Sequence, residues 1–454
     1  MKLAVLGGGG VRSLFLARSL AARAKDLEIQ ELVFMDNDPE KLRIYGTLAK
    51  ETAKRICPSL RFSLTADSRE ALTDADYCIT TIRPGGDEMR VRDERIALDL
   101  GLLGQETTGA AGFSFAMRSV SALKDYCEQV KRLAKPTCKV FNFTNPAGVV
   151  SQTLRDMGYD FTYGICDAPS GMLRSFEKLY GAPEGSAAGE VYGLNHLSYF
   201  SSVTLNGKDI TQALINNPEA YKKTDMRYFA PSLLQARGAI LNEYLYYFYY
   251  REQAVANILN APQTRGEQIA DINRRMTAAL RNLDMKTDFD KALAVFEQYY
   301  GERENNYMAA ETGVRRAAPW KFDIFGKDDG GYAGVALRFI ELAERNQRGS
   351  MILCVPNNGA IDGLLDTDIV EVTCDIQNGE AVPHKFSSVD AQNLELIRRV
   401  KNYERLASLA IRKKSVSAAV DALTLHPLVN SYSLAERLVS AYVDLNKDYA
   451  GEWK

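Results

Sequence analysis

Four consecutive glycines, Gly7, Gly8, Gly9 and Gly10, follow the apolar run Leu3-Ala4-Val5-Leu6 and precede residues 12 to 24, a segment rich in Ala, Leu and Arg. A strand that turns through glycine into a helix lets backbone approach a pyrophosphate. It also aims the free N–H groups of the helix N-terminus at that ligand. Asp36 closes the next apolar run, residues 31 to 35, and stands 26 residues beyond Gly10. A carboxylate there accepts hydrogen bonds from a ribose 2′-hydroxyl and repels a 2′-phosphate, so the pattern points to NAD rather than NADP. Gly7 and Gly9 fit the G-x-G-x-x-G fingerprint, but Arg12 stands at its third position. A glycine-rich turn without a ligand is the bland alternative.

The chain has three histidines, His196, His384 and His426. His196 lies in Gly-Leu-Asn-His, and Cys166 in Gly-Ile-Cys-Asp-Ala-Pro. Thiolate and imidazole make a plausible pair of ligands for a borderline divalent ion. Thirty residues separate them, and spacing alone favours a buried structural cysteine and a satisfied histidine. Tyr244, Tyr246, Tyr247, Tyr249 and Tyr250 fall on a predicted helix over 232 to 257, where most such rings pack. One phenol facing a metal could act as a base. Arg83, Arg90, Arg92 and Arg95 follow the apolar run 77 to 82. A loop after the carboxyl end of a parallel strand is where ligands bind, and the arginine fork suits a phosphate. A solvated helix with Asp93 and Glu94 as partners accounts for at least two of the four.

The elements that must position these groups alternate: apolar runs at 3–6, 31–35, 77–82 and 139–143, with helical stretches at 38–56 and 116–134 between them. That order predicts a parallel, doubly wound α/β sheet of Rossmann type, because parallel strands need crossover helices. Strand-like segments follow at 190–206, helices at 232–257, 264–282 and 332–346, strands at 351–355 and 369–374, and helices from 390 onward. The expected division is a nucleotide-binding domain, residues 1–165, and a mixed, largely helical α/β domain, residues 166–454. The chain has 454 residues, 46% apolar and 25% charged, which is an ordinary globular balance. Lys and Arg number 56 against 58 Asp and Glu, a net charge of −2, so nothing suggests nucleic acid or an anionic membrane as a partner. No apolar run has the length of a membrane span, and the first residues lack a signal-peptide core. Seven cysteines, odd in number and irregularly spaced, read as reduced thiols in the cytoplasm.

The segments LAVLGGGG, FMDNDPEKL, TIRPGGDEMRVRDERIAL, GLLGQETTGAAGFSFAMRS, NFTNPAGVV, GICDAP, GLNHLSYF, NEYLYYFYY, TRGEQIADI, VPNNGAIDGL and LVSAYVDLNKDY, in this order, resemble the NAD- and metal-dependent glycoside hydrolases of family 4. The resemblance runs from residue 3 to about 449. It implies a lactate-dehydrogenase-like Rossmann domain, an NAD cofactor and a divalent ion, usually manganese, on Cys166 and His196. It further implies that Asn145, Arg90 and Arg265 contact substrate, that Tyr244 is the catalytic base, and that Asp167 is the general acid of the α-glycosidase branch. The chemistry it implies is redox-assisted elimination: oxidation at C3 of the sugar, removal of the C2 proton, loss of the C1 substituent, addition of water and return of the hydride. Such enzymes are exceptions to hydrolysis by two carboxylates. By family habit the assembly is a homodimer or homotetramer.

The first loop departs from the pattern. Phosphate-handling members carry Gly-Gly-Ser-Thr-Phe-Thr-Pro there, whereas this chain has Gly-Gly-Gly-Val-Arg-Ser-Leu-Phe-Leu. The arginine-rich loop and GQETTG still favour a small phosphorylated glycoside, a 6-phospho-glucoside, as substrate. Asp167 points to the α-anomer, while the surrounding loops look closer to β-acting members. The competing expectations are a family 4 glycosidase of a non-phosphorylated sugar, a plain NAD-dependent dehydrogenase of a small hydroxy acid or sugar, and a non-catalytic NAD sensor.

Overall fold

The computed structural model describes residues 1–316, 319–326 and 333–454. The strands are β1 (Lys2–Leu6), β2 (Glu31–Met35), β3 (Arg61–Thr65), β4 (Tyr77–Thr80), β5 (Lys139–Asn142), β6 (Thr162–Gly164), β7 (Ala187–Leu194), β8 (Leu197–Leu205), β9 (Lys208–Asp209), β10 (Ile240–Leu241), β11 (Gly349–Pro356), β12 (Ile369–Gln377) and β13 (Glu380–Pro383). Among the described residues the main sheet runs β13-β12-β11-β6-β5-β4-β1-β2-β3. Strands β3, β2, β1, β4, β5 and β6 are parallel, the 3-2-1-4-5-6 order of a dinucleotide-binding fold. Strands β11 to β13 continue the sheet in antiparallel fashion. A second sheet, β10-β8-β7 with β9 on β8, lies beside it.

The parallel strands read as nearly unbroken apolar runs because helices cover both faces. Leu3, Val5, Phe34, Ile79 and Phe141 are buried in a core that continues to Tyr442 and Ala450 in the last helix, Tyr432–Ala450. The expected helix at 38–56 forms with an irregular middle, a wide turn at Leu42–Gly46 between Pro39–Lys41 and Thr47–Ile56. The helix expected at 116–134 begins earlier, at Ala110, and ends at Leu133. The helix expected at 332–346 spans Gly334–Glu344, and its first predicted position lies outside the described residues. A helix not expected from the sequence spans Phe289–Asn305.

The single helix expected over 232–257 is broken. Helix Pro231–Arg237 stops at Gly238, whose φ of 60° is left-handed. Ile240 and Leu241 then pair with β8. The Asn242 side chain accepts the Tyr244 N–H at 3.0 Å and starts a tight turn, Glu243–Leu245. Helices Tyr246–Tyr249 and Arg251–Asn260 follow. Tyr244 therefore stands on a turn at the sheet edge, and helical continuity does not dictate its direction.

A buried polar knot joins the last helix to the nucleotide-binding half. Arg118 is 2% exposed. Its guanidinium pairs with Asp93 and donates to Asn446 Oδ1 at 2.6 Å and Pro84 O at 3.2 Å. Ser114 Oγ donates to Asp93 at 2.6 Å and accepts from Asn446 at 2.8 Å. Removing one partner of such a pair strands a buried charge, which costs about 3–5 kcal/mol. Arg118→Met should lower stability by that amount in chemical denaturation, and a loss under about 1 kcal/mol would show that the knot contributes specificity alone.

Candidate active site

One cleft of about 1240 Å³ opens at the carboxyl ends of β1, β2, β4, β5 and β6. Gly7, Gly10, Asp36, Arg83, Arg90, Glu106, Asn145, Cys166, Asp167, His196, Tyr244 and Arg265 all line it. This is the position where strand order reverses and ligands enter such sheets. Arg92 and Arg95 do not line it. Arg92 is exposed, and Arg95 forms a two-pronged pair with Glu267, both bonds 2.7 Å.

The glycine loop is close-fitted. Gly7 has φ 100°, and a Cβ there would meet Thr81 O at 2.5 Å. Its N–H and that of Gly8 donate to Met35 O. The Asp36 carboxylate accepts the N–H of Gly9 at 2.9 Å and of Asp38 at 3.0 Å. Burial pushes its carboxyl up from the usual range despite these bonds. The two bonds fix the carboxylate at the mouth of the loop, and each oxygen keeps a lone pair free for a ribose hydroxyl.

Cys166 follows β6 and its Sγ lies 3.7 Å from His196 Nε2. Two ligands of one tetrahedral ion with bonds of 2.0–2.3 Å would stand about 3.6 Å apart, so the pair fits a shared ion. Among the described residues no set of three or more His, Cys, Asp or Glu side chains converges on this point. His196 is 7% exposed, and burial pushes its pKa down to about 4, which keeps the imidazole neutral. Thr107 Oγ1 lies 3.2 Å from Nδ1 and 3.0 Å from Gln105 Oε1. The amide oxygen takes the hydroxyl proton, so Thr107 accepts Nδ1–H and leaves the Nε2 lone pair facing Cys166. That is how an outer partner sets the tautomer of a metal-binding histidine.

The Tyr244 ring lies flat on that of His196, centroids 3.7 Å apart and planes 5° apart. Burial pushes its phenol above its ordinary value, and the Glu243 carboxylate adds to this. Of the other tyrosines of the run, Tyr246 stacks on Tyr250, and Tyr247 is buried but also lines the cleft. Of the three histidines, His384 bonds Glu190 and Asp375, and His426 packs on Tyr403.

Glu106 pairs with Arg83 at 2.7 Å and Arg90 at 3.2 Å. Burial raises its carboxyl, but Arg83, Arg90 and Arg303 outweigh this and hold it down to about 2. Arg90 also bonds Glu94 at 2.8 Å, whose other oxygen accepts the Gly266 N–H at 2.8 Å. Arg265 is 8% exposed and donates one nitrogen to Arg303 O at 2.8 Å. Its Nη1 has no hydrogen-bond partner among the described residues. A buried orphan donor beside a cleft is a site for an anionic or hydroxylated ligand. Sequence reasoning missed Glu243, Arg303 and Tyr307. Glu243 lies inside a recognised motif without a role, and the other two lie in no motif at all.

Two family models match the chain: family 4 glycosyl hydrolase over residues 2–182, and the family 4 glycosyl hydrolase C-terminal domain over residues 191–429. The chain belongs to family 4 of the glycosyl hydrolases. This family 4 enzyme is 29% identical over 453 residues to a 6-phospho-beta-glucosidase of Thermotoga maritima, with 99% of each chain covered. It is 25% identical over 470 residues to a phospho-alpha-glucosidase of Clostridium acetobutylicum, with 99% of this chain and 98% of that one covered. A crystal structure of the T. maritima 6-phospho-beta glucosidase with manganese, NAD+ and glucose-6-phosphate superposes with a TM-score of 0.81 at 27% identity, over 99% of both chains. Family membership displaces the plain dehydrogenase and the sensor. No helix among the described residues is long and apolar enough to cross a membrane.

Cys166→Ser should remain folded by circular dichroism and bind Mn²⁺ at least 10- to 100-fold more weakly, the scale set by loss of even an outer partner. Unchanged affinity in a calorimetric titration would remove Cys166 from the ligand set.

Proposed function

We propose that this family 4 enzyme hydrolyses a 6-phospho-glucoside with the help of NAD⁺ and a divalent ion, most simply Mn²⁺. The observation that carries the reading is convergence: a phenol stacked on the imidazole of a thiol–imidazole pair, at the carboxyl end of a glycine-loop sheet. The relatives and the similar crystal structure bear names and ligands of that chemistry. When bound, NAD⁺ on Gly7 to Gly10 and Asp36, with the ion on Cys166 and His196, supplies reversible oxidation at C3 and acidifies the proton at C2.

The chain's own groups do the rest. Tyr244 takes the C2 proton, its ring orientation fixed by His196. Asp167, at the start of helix Ala168–Tyr180, delivers a proton to the departing C1 oxygen. Arg90, held by Glu94 and Glu106, orients the sugar with Asn145. The orphan donor of Arg265 and the neighbouring arginines neutralise the phosphate. In this reading residues 1–165 hold the nucleotide and lend Arg90 and Asn145 to the sugar, and residues 166–454 bring the metal ligands, Asp167, Tyr244 and Arg265. Seven free thiols suit the reducing cytoplasm, and the assembly follows the family as a homodimer or homotetramer.

A panel of chromogenic glucosides, both anomers, with and without the 6-phosphate, should be cleaved only when phosphorylated and only with NAD⁺ and Mn²⁺ present. Equal rates on unphosphorylated glucosides would remove the phosphate from the proposal, and turnover without NAD⁺ would remove the redox step. Asp36→Ala should weaken NAD⁺ binding about tenfold or more, the value of charge-assisted hydrogen bonds, and relax discrimination against NADP⁺. An unchanged preference would assign the ribose to another residue.

A further inference from the structure

His196 is the second residue of a two-residue hairpin loop, since Leu194 pairs with Leu197. The turns that match the twist of such a hairpin carry a positive φ at the first loop residue. Here the left-handed φ, 62°, falls on His196 and not on Asn195 before it. A residue with a Cβ persists in that region only where its surroundings over-determine it. The turn that presents the imidazole therefore depends on a fastening from outside the hairpin.

Strand β12 supplies it. Glu371 is 1% exposed, and its two oxygens bond separately to residues on either side of the histidine. Oε1 accepts from Asn195 Nδ2 at 3.0 Å, and Oε2 accepts from Ser198 Oγ at 2.7 Å. The path continues from Ser198, whose backbone oxygen accepts the Asn242 N–H at 3.1 Å. Its hydroxyl oxygen also accepts from Asn242 Nδ2 at 3.3 Å. The other end of that amide, Asn242 Oδ1, accepts the Tyr244 N–H at 3.0 Å and starts the turn that carries the phenol. Ser198 and Asn242 are buried, so these bonds are shielded from water. Glu371 is thus joined to the His196 turn directly, and to the Tyr244 turn through Ser198 and Asn242. Burying a carboxyl is costly unless its hydrogen bonds offset the lost hydration. Two acceptor oxygens aimed at two donors are what a carboxylate provides; an amide offers one acceptor and one donor group.

We propose that Glu371 is a positioning residue that fastens the His196 turn and the Tyr244 turn to one strand. It thereby sets the place of the imidazole opposite Cys166 and the stacking of the phenol on the imidazole. The proposal rests on Cys166 and His196 being the metal ligands and Tyr244 the base. Glu371 does not line the cleft; it acts through Asn195, Ser198 and Asn242.

The test titrates Mn²⁺ calorimetrically into the full chain saturated with NAD⁺, with NAD⁺ affinity measured separately. Glu371→Gln keeps the shape of the side chain and one of its two acceptors. It should lower Mn²⁺ affinity by about 10- to 100-fold, the scale for an outer partner of a metal ligand, and leave NAD⁺ affinity unchanged. Adding Asn195→Asp to Glu371→Gln sets an amide donor against a carboxylate and restores the bond with its polarity reversed. That pair should recover most of the lost Mn²⁺ affinity. Asn195→Asp alone sets two acids face to face and should weaken Mn²⁺ binding; tighter binding in that single variant would mean that added charge, not position, governs the site, and would overturn the proposal. Ser198→Ala cuts the arm toward Asn242. It should weaken Mn²⁺ binding less than Glu371→Gln and lower kcat about tenfold or more, the scale of a misplaced catalytic group, with KM nearly unchanged. Mn²⁺ affinity equal to the parent's in folded Glu371→Gln, or in Ser198→Ala should Glu371→Gln fail to fold, would overturn the proposal. So would an equal fall in NAD⁺ and Mn²⁺ affinity, the mark of general loosening. Unchanged Mn²⁺ affinity in Cys166→Ser would instead remove the ligand pair on which the proposal rests.

Discussion

The imidazole of His196 must meet three demands at once, and much of the cleft is arranged around them. One nitrogen must face Cys166 with a free lone pair, the other must give its proton away, and the ring must lie flat under Tyr244. The backbone meets the first demand by a left-handed φ of 62° on the turn between β7 and β8. Gly193 lets the two strands close there, since a Cβ would come within 2.3 Å of Leu197 O. The segment Gln105-Glu106-Thr107-Thr108 meets the second. Gln105 Oε1 also accepts the N–H groups of Thr107 and Thr108, at 2.8 and 2.6 Å, so the amide that sets the histidine's tautomer is itself immobilised. The third follows from the break in the predicted helix, which places Tyr244 on a turn where a continuous helix would have fixed its direction by its neighbours.

Two buried glutamates show how the same side chain is tuned in opposite directions within one cleft. Glu106 sits among Arg83, Arg90 and Arg303 and stays ionised. It fixes Arg90 and leaves that wall of the cleft with net positive charge. Glu243 sits among carboxylates and is driven toward its neutral form. In a dry site each arrangement acts strongly, because charges there are poorly screened. The separation of an arginine-rich wall from an acid-rich wall gives the cleft a direction, favouring an anionic group on one side and disfavouring it on the other.

The nucleotide-binding half of the fold was legible in the sequence because its signals are local: an apolar run, a glycine turn, a helix and an acid at a fixed distance. The extension of the same sheet by β11 to β13 was not, since which edge a distant strand joins depends on long-range pairing that no periodicity encodes. Helix 232–257 was misjudged because the apolar and aromatic pattern outweighed Gly238 and the capping side chain of Asn242, two small signals that decide the backbone. Within the site, Cys166, His196 and Tyr244 owe their recognition to motif resemblance, and the structure supplies the distances. Tyr307 and Arg303 belong to a helix end that carries no motif, and only the folded chain brings them to the cleft.

Cys166 follows strand β6 of the main sheet, whereas His196 lies on the turn between β7 and β8 of the second sheet, so the gap between them depends on how the two sheets are joined. Strand β12, nearly two hundred residues downstream, supplies that joint. Its Thr373 Oγ1 accepts the Val191 N–H at 2.8 Å and donates to Gly189 O at 2.9 Å. Its Glu371, buried and pushed up to about 7 by that burial, accepts from Ser198 Oγ at 2.7 Å and Asn195 Nδ2 at 3.0 Å. Both of these donors flank His196. The strand is itself held by β11, which pairs with β6 at Cys354 and Gly164, two residues before Cys166. A set of strand pairings and side-chain hydrogen bonds thus runs from Gly164, two residues before Cys166, through β11 and β12 to Asn195 and Ser198 on either side of His196. Thirty residues of intervening sequence place no constraint on the pair, but this path does. A small shift of β12 against either neighbour would change the thiol–imidazole distance, which makes the downstream half of the chain part of what sets that pair's geometry.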